Sequence, residues 1–258
     1  MSSTVPNTGV HLFRFAAPAE FYGLAGKLVP VCGVLAALLG AAGLYVGFFA
    51  APTDAQQGES YRIIFIHVAS AWMAMFLYVV MAFWAGVGLV FNTRLSAMLA
   101  SAIAPTGALM AFIALWTGSL WGRPTWGAYW VWDARLTSTL ILLFLYFGFM
   151  ALHSAIDDVR RADKASAVLA LVGVVNVPII YFSVQWWNTL HQGASVRPGG
   201  SSMAGTMLAG MLLMVFAFWT YAIAAILHRV RSVVLEREQR NAWAQEAIAH
   251  ERAARGEG

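Results

Sequence analysis

The sequence predicts an all-α integral membrane protein with six transmembrane helices, and three observations carry that reading. Only 11% of the 258 residues are charged and 60% are hydrophobic, whereas a water-soluble domain carries about 25% charged residues. Six apolar stretches are each long enough to cross a hydrocarbon layer of about 30 Å, which takes about 20 helical residues. The Lys and Arg residues gather in the short segments between those stretches, as topology signals do. Too little polar sequence remains to clothe a soluble domain, so a single membrane domain is expected. The net charge of +4 is dispersed among these segments, which argues against a nucleic-acid surface.

The spans fall at about 28–50, 63–91, 97–120, 134–153, 165–187 and 203–228. Lipid offers backbone groups no partner, so each is expected to be helix. The second is long enough to tilt or to project beyond the membrane. Residues 1–27 read as a cytoplasmic N-terminal segment without the apolar core and small-residue site of a cleavable signal peptide. Within it, Phe13 to Gly26 reads as an amphipathic helix along the membrane surface. Residues 28–228 form the membrane domain, and 229–258 a polar cytoplasmic tail, either a solvated extension of helix six or a docking site. Cys32 stands alone inside the first span, a buried and inert thiol. Gly43 with Gly47, and Gly118 with Gly122, have the spacing that lets helices approach closely.

Orientation follows from the cations. Twelve of the sixteen Lys and Arg residues fall on the side of the two termini; Arg62, Arg123, Arg135 and Arg197 fall on the other. The imbalance places both termini in the cytoplasm and turns the loops near 51–61, 121–133 and 188–202 outward. The last of these, with Pro198, Gly199 and Gly200, reads as flexible over Gly193 to Ser202.

The most informative stretch is the loop between spans three and four, Trp121-Gly122-Arg123-Pro124-Thr125-Trp126-Gly127-Ala128-Tyr129-Trp130-Val131-Trp132-Asp133. Its glycines and proline argue against a simple helix. A membrane-interface belt would also concentrate Trp and Tyr, but at both faces. Here Trp116, Trp121, Trp126, Trp130, Trp132, Trp186 and Trp187 fall at the outer face, against Trp84 and Trp219 near the inner one. That asymmetry favours a purpose-built aromatic platform. Two histidines share its level: His67 just inside span two, and His191 beyond Trp186 and Trp187. Ionisable groups at such depth are functional candidates. His11, His153, His228 and His250 lie on the cytoplasmic side and receive no site role.

A flat apolar macrocycle with two propionates and an iron that takes imidazoles needs this set: haem. Aromatic rings cover its faces, Arg62, Arg123 and Arg135 stand at the level of its propionates, and neutral imidazole ligates its iron. Zinc would want three or four clustered ligands, and the sequence holds no close His/Cys cluster. Asp133 either caps helix four or orients an Arg or loop N–H near the ligand.

The pattern Trp121-Gly-x-Pro-x-Trp126-Gly-x-x-Trp130-x-Trp132-Asp133 resembles the tryptophan-rich signature, the WWD domain, of haem-handling membrane proteins. With six spans and one histidine on each side of that run, nearly the whole chain resembles the haem exporter protein C family of cytochrome c maturation system I. Only the polar tail is longer than the family pattern. The resemblance implies a multi-pass protein of the bacterial inner membrane that binds haem b non-covalently at the periplasmic face. It implies His67 and His191 as axial ligands and Trp121, Trp126, Tyr129, Trp130, Trp132 and Asp133 as the WWD contacts. It further implies a periplasmic haem chaperone as recipient, an ATPase with its membrane subunit, and a small single-span subunit. The chain has no G-x-x-x-x-G-K-[ST] phosphate loop, so ATP hydrolysis belongs to partners and the chain is no enzyme.

Three other readings compete. A b-type cytochrome passing electrons to quinone would carry histidines at both depths, and the candidates here lie on one side. A solute transporter would place its site at unwound helices near the midplane. A cytochrome c synthetase sharing the WWD run would be a larger chain.

Overall fold

A computed structural model describes residues 12–191, 193, 196, 197, 199–254 and 256. Six helical spans are long and apolar enough to cross a membrane. Helix α1 (Pro18–Tyr45) continues through a π turn at Val46–Ala50, and α2 (Ile64–Phe91) follows a 3-10 turn at Glu59–Ile63. Helices α3 (Arg94–Trp126) and α4 (Ala134–Ala155) come next; α5 (Val159–Gly173) and α6 (Asn176–Trp186) share the fifth span. Helix α7 (Gly205–Glu238) is the sixth span, and α8 (Ala242–Ala254) closes the chain. The one sheet among the described residues is a hairpin pairing Val196–Arg197 with Gly200–Ser201. His11 and, in the outer loop, Ala194, Ser195 and Pro198 lie outside the described residues.

The helices outrun the apolar windows because they end where backbone chemistry stops them. Pro18 opens α1 at the position where a missing N–H costs nothing, so Phe13 to Gly26 divides between a 3-10 turn and α1 instead of forming a separate surface helix. Asn92 closes α2 in the left-handed conformation, at φ 54°. The largest difference from expectation is in α3. Residues 121–126 are helical despite Pro124, and the turn comes at Gly127, whose φ of 78° suits glycine. Pro124 deprives the Leu120 carbonyl of its helical partner, a loss confined to the last turn. Thr125 Oγ1 donates to the Trp121 carbonyl at 2.7 Å and Gly127 N to that of Arg123 at 3.1 Å.

Pro178 interrupts the fifth span. It has no N–H for the Val174 carbonyl, which accepts instead from Val177 N at 3.0 Å, and the chain turns at Val174 and Val175. Asn176 Nδ2 donates to the Ser138 carbonyl at 2.8 Å, tying the break to α4.

Helix α3 is the most buried span and α1 the least. Helix α1 packs along α7, and α2 along α3, with α4 and α5 completing the wall. Gly47 admits the Phe65 ring, and a Cβ on Gly210 would come within 3.3 Å of Gly47 N, so the first glycine pair brings α1 and α7 together. In the second pair only Gly118 stands at a helix contact, between α3 and α2. Gly118 faces His67, and Gly122 faces the Ala128 carbonyl and the Trp126 ring.

Both described ends of the chain meet at one end of the bundle. Tyr22 Oη donates to Glu251 at 2.5 Å, Arg231 Nη2 reaches the same carboxylate at 2.7 Å, and Trp243 lies against Tyr22 with ring centres 6.0 Å apart. The tail is thus a continuation of α7 to Glu238 and then a separate helix folded back onto α1. Trp219 stacks on Phe76, centres 5.1 Å apart, which puts it midway along α2 and not at the inner face.

Candidate functional site

At the opposite end from the Tyr22–Glu251 contact, α2, α3, α4 and the segment after α6 enclose an apolar cleft of about 660 Å³, its open mouth included. His67 and His191 both line it. Their ring centres are 6.1 Å apart, with the planes inclined by 42°. Two imidazoles on opposite sides of one iron, at metal–nitrogen distances of about 2 Å, would hold their ring centres about 6 Å apart. Each ring has its own tryptophan set edge-on: Trp121 against His67 at 5.6 Å, Trp126 against His191 at 5.7 Å.

The α3 face opposite His67 orients that imidazole. Thr117 Oγ1 donates to the Ile113 carbonyl at 2.6 Å, so towards His67 Nδ1, 3.1 Å away, the hydroxyl is an acceptor. The proton then sits on Nδ1, leaving Nε2 with a free lone pair. Next to it, Gly118 leaves room: a Cβ there would lie 2.8 Å from His67 Cε1. On the other side, burial, then Arg135 and His67, push the His191 imidazole down to about 3, so it is neutral at pH 7 and able to ligate.

Loop chemistry fixes Trp121. Asp54 Oδ1 accepts from the backbone N–H groups of Gln56 and Gln57 at 2.9 and 2.8 Å, closing a turn that Gly58 completes at φ 58°. Gln57 Oε1 then accepts from Trp121 Nε1 at 2.7 Å. Trp130 Nε1 lines the cleft buried and without a hydrogen-bond partner among the described residues, a donor that suits an acceptor on a ligand. Asp133 caps α4, accepting from Leu136 N at 2.8 Å, while its other oxygen is buried with no partner among the described residues.

The candidate arginines separate. Arg135 lines the cleft, with Nη1 3.4 Å from the Ile180 carbonyl. Arg62 lies outside it: its guanidinium holds Glu59 and donates to the Gly47 carbonyl at 2.6 Å and the Ala51 carbonyl at 3.2 Å. Arg123 bonds the Gly127 carbonyl and lies over the Tyr129 ring, 5.8 Å from its centre. Tyr129 and Trp132 are exposed on the outer surface, and Trp132 sets its edge on Trp130 at 5.4 Å.

A cleft that pairs two neutral imidazoles at this separation, with an apolar wall, an unmet indole donor and one buried guanidinium, fits haem. No group of three or more His, Cys, Asp or Glu that could hold a metal ion occurs among the described residues, so a cage for a bare ion is not what these residues build. The sequence profile of the family described as Heme exporter protein C matches residues 11–245. The protein named Heme exporter protein C from Escherichia coli (strain K12) is 44% identical over 237 residues, 92% of this chain and 96% of the relative. Its Bradyrhizobium diazoefficiens counterpart of the same name is 48% identical over 231 residues, 89% of this chain and 88% of the relative. A ccmC-like mitochondrial protein of cytochrome c biosynthesis from Marchantia polymorpha is 38% identical over 208 residues, covering 81% and 87%.

The chain belongs to the haem exporter protein C family.

It is, with its six spans, a multi-pass inner-membrane protein of that family. Three residues that the sequence reading passed over take part in the site: Gln57, Thr117 and Gly118. Gly118 carried a faint signal as half of a small-residue pair; Gln57 and Thr117 carried none. Thr117→Val keeps the shape of the residue and removes the acceptor. Haem retention is expected to fall about tenfold, the lower end for loss of an outer partner of a metal-bound His. Absorbance per protein after purification measures it, and unchanged retention would mean the ring is oriented without the hydroxyl.

Proposed function

We propose that the chain holds haem b non-covalently in the outer cleft, with His67 and His191 on the two faces of its iron, and presents it to a periplasmic haem chaperone. Membership of the haem exporter protein C family makes the chain a haem-handling subunit of cytochrome c biogenesis, and not a catalyst. The observation that carries the finer reading is the 6.1 Å separation of two imidazoles at the floor of one aromatic cleft. The twelve-to-four distribution of Lys and Arg supports a periplasmic position for that cleft and a cytoplasmic one for both termini.

In this reading haem is cargo. Trp121 and Trp126 shield the imidazoles from water and keep their rings upright. Trp130 Nε1 and Arg135 are placed for the propionates, and Asp133 keeps α4, and with it Arg135, in register. Tyr129 and Trp132 at the exposed rim, with Arg123 beside them, offer the chaperone an aromatic and cationic edge. Arg62 braces the α1–α2 corner and acts on the cleft through the loop that carries Gln57. The chain has no phosphate loop, which fits partners that comprise an ATPase, its membrane subunit and a small single-span subunit.

Visible spectra of the purified protein loaded with haem test the ligation. The parent protein is expected to show low-spin bands of a bis-imidazole haem. His67→Ala and His191→Ala should each shift the spectrum to high spin and weaken retention by more than the about tenfold expected of Thr117→Val, which only removes the partner that orients the His67 ring. Low-spin bands that survive both substitutions would refute the axial pair.

A further inference from the structure

The end of the bundle where Tyr22 meets Glu251 holds a second cavity, about 970 Å³ with its open mouth. Its rim is the α2–α3 turn at Asn92, Thr93 and Arg94 together with Arg160 and Lys164 from the first turns of α5. Its floor is apolar, with Leu89 from α2, Ala97 from α3 and Phe149 from α4. One acid, Asp163, lines it, and that acid is already neutralised. Arg237 meets both carboxylate oxygens at 2.9 Å, and His153 Nε2 lies 3.0 Å from one of them.

The cations are less well matched. Arg94 pairs with Glu238 at 2.8 Å, but among the described residues Arg160 and Lys164 make no ion pair. They stand four residues apart, so two like charges share one face of α5, an arrangement that repels itself. The N-terminus of α3, where Thr93 makes no side-chain cap, opens beside them and adds positive potential, whereas that of α5 is capped by Asp158, which accepts from Arg161 N at 2.8 Å. Such a rim attracts an anion. A small soluble anion would use the rim and leave the floor bare, whereas a lipid uses both, and basic pockets between spans on the cytoplasmic side suit acidic head groups.

We propose that this cavity binds an anionic phospholipid of the inner leaflet, its phosphate between Arg160 and Lys164 and an acyl chain against Leu89, Ala97 and Phe149. The site is independent of the histidine cleft.

Native mass spectrometry of the full-length protein, delipidated in mild detergent and titrated with defined lipids, decides it. Phosphatidylglycerol is expected to bind the unmodified protein at least fivefold more tightly than phosphatidylcholine. The double variant Arg160→Gln/Lys164→Gln should lose at least fivefold of that binding, and Arg161→Gln, outside the cavity, should lose none. Equal binding of the two lipids, or equal losses in both variants, would overturn the proposal by reducing the effect to general surface charge. Inorganic phosphate that displaces phosphatidylglycerol at equal concentration would also overturn it, by making the site one for soluble anions. The comparison of lipids on unmodified protein stands whether or not the variants fold.

Discussion

Leucine in place of Gly118 is expected to abolish haem retention, by roughly a hundredfold in affinity, while the membrane domain still assembles. The first added carbon would already lie 2.8 Å from His67 Cε1, 3.4 Å from Nδ1 and 3.8 Å from Nε2. That contact tilts the imidazole off its Thr117 anchor, and the rest of the side chain extends into the space the macrocycle needs. Overpacking of this kind costs about 1–3 kcal/mol, and the upper part of that range corresponds to a hundredfold in binding. The fold itself loses little, because glycine is about 1 kcal/mol worse than leucine inside a helix and α3 therefore gains propensity. A single histidine variant keeps one axial ligand and the whole cavity, which is why its effect is smaller. Haem per protein and the thermal transition of the haem-free protein give the two readouts. Gly118→Leu protein that keeps full haem and low-spin bands would show that haem sits elsewhere.

The bundle was legible because spanning lipid is a bulk property. A run of about 20 apolar residues must be helix there whatever its neighbours are, and His67, His191 and the outer tryptophans stood out as the polar and aromatic exceptions. What stayed hidden depends on phase. Helix α3 is apolar nearly all round, so its pattern does not say which face meets α2, and Thr117 and Gly118 look like any small residues of a buried span. Gln57 is one polar residue in a short loop until the α2–α3 pairing brings Trp121 above it. Arg62 was placed at the right level, but level says nothing about direction. The guanidinium turns to the buried carbonyls at the end of α1, where the π turn leaves Gly47 and Ala51 in need of donors. Pro124 misled for a related reason. A proline costs one carbonyl wherever it falls, and in the last turn of a long helix that loss does not end the helix.

Alanine at Gly107 is expected to remove a large share of the bundle's stability, without touching haem or its ligands. Tyr146, fully buried in α4, crosses to α2 and donates its hydroxyl to the Ala74 carbonyl at 2.8 Å, with Tyr78 edge-on to its ring at 5.0 Å. The path of that ring is open only because position 107 on α3 has no side chain. A methyl there would fall within the van der Waals radii of Tyr146 Cζ, Cε1 and Oη. The ring has no free side to move to, since interiors this dense do not yield by a contact radius. Either the ring leaves, stranding a buried hydroxyl at about 1–3 kcal/mol, or α3 shifts, opening gaps along α2. A ring that stays leaves overpacking of about 1–3 kcal/mol, so each route removes a large share of the 5–15 kcal/mol that holds a typical domain folded. The effect should reach the cleft, since Ala74 on α2 and Leu142, one turn above Tyr146 on α4, both line it. Expression in the membrane fraction and a thermal scan of the haem-free protein measure the loss. The second change Tyr146→Leu, which removes the colliding ring, should restore most of the yield to Gly107→Ala. Failure of that rescue would mean that glycine at 107 serves something other than the tyrosine's path.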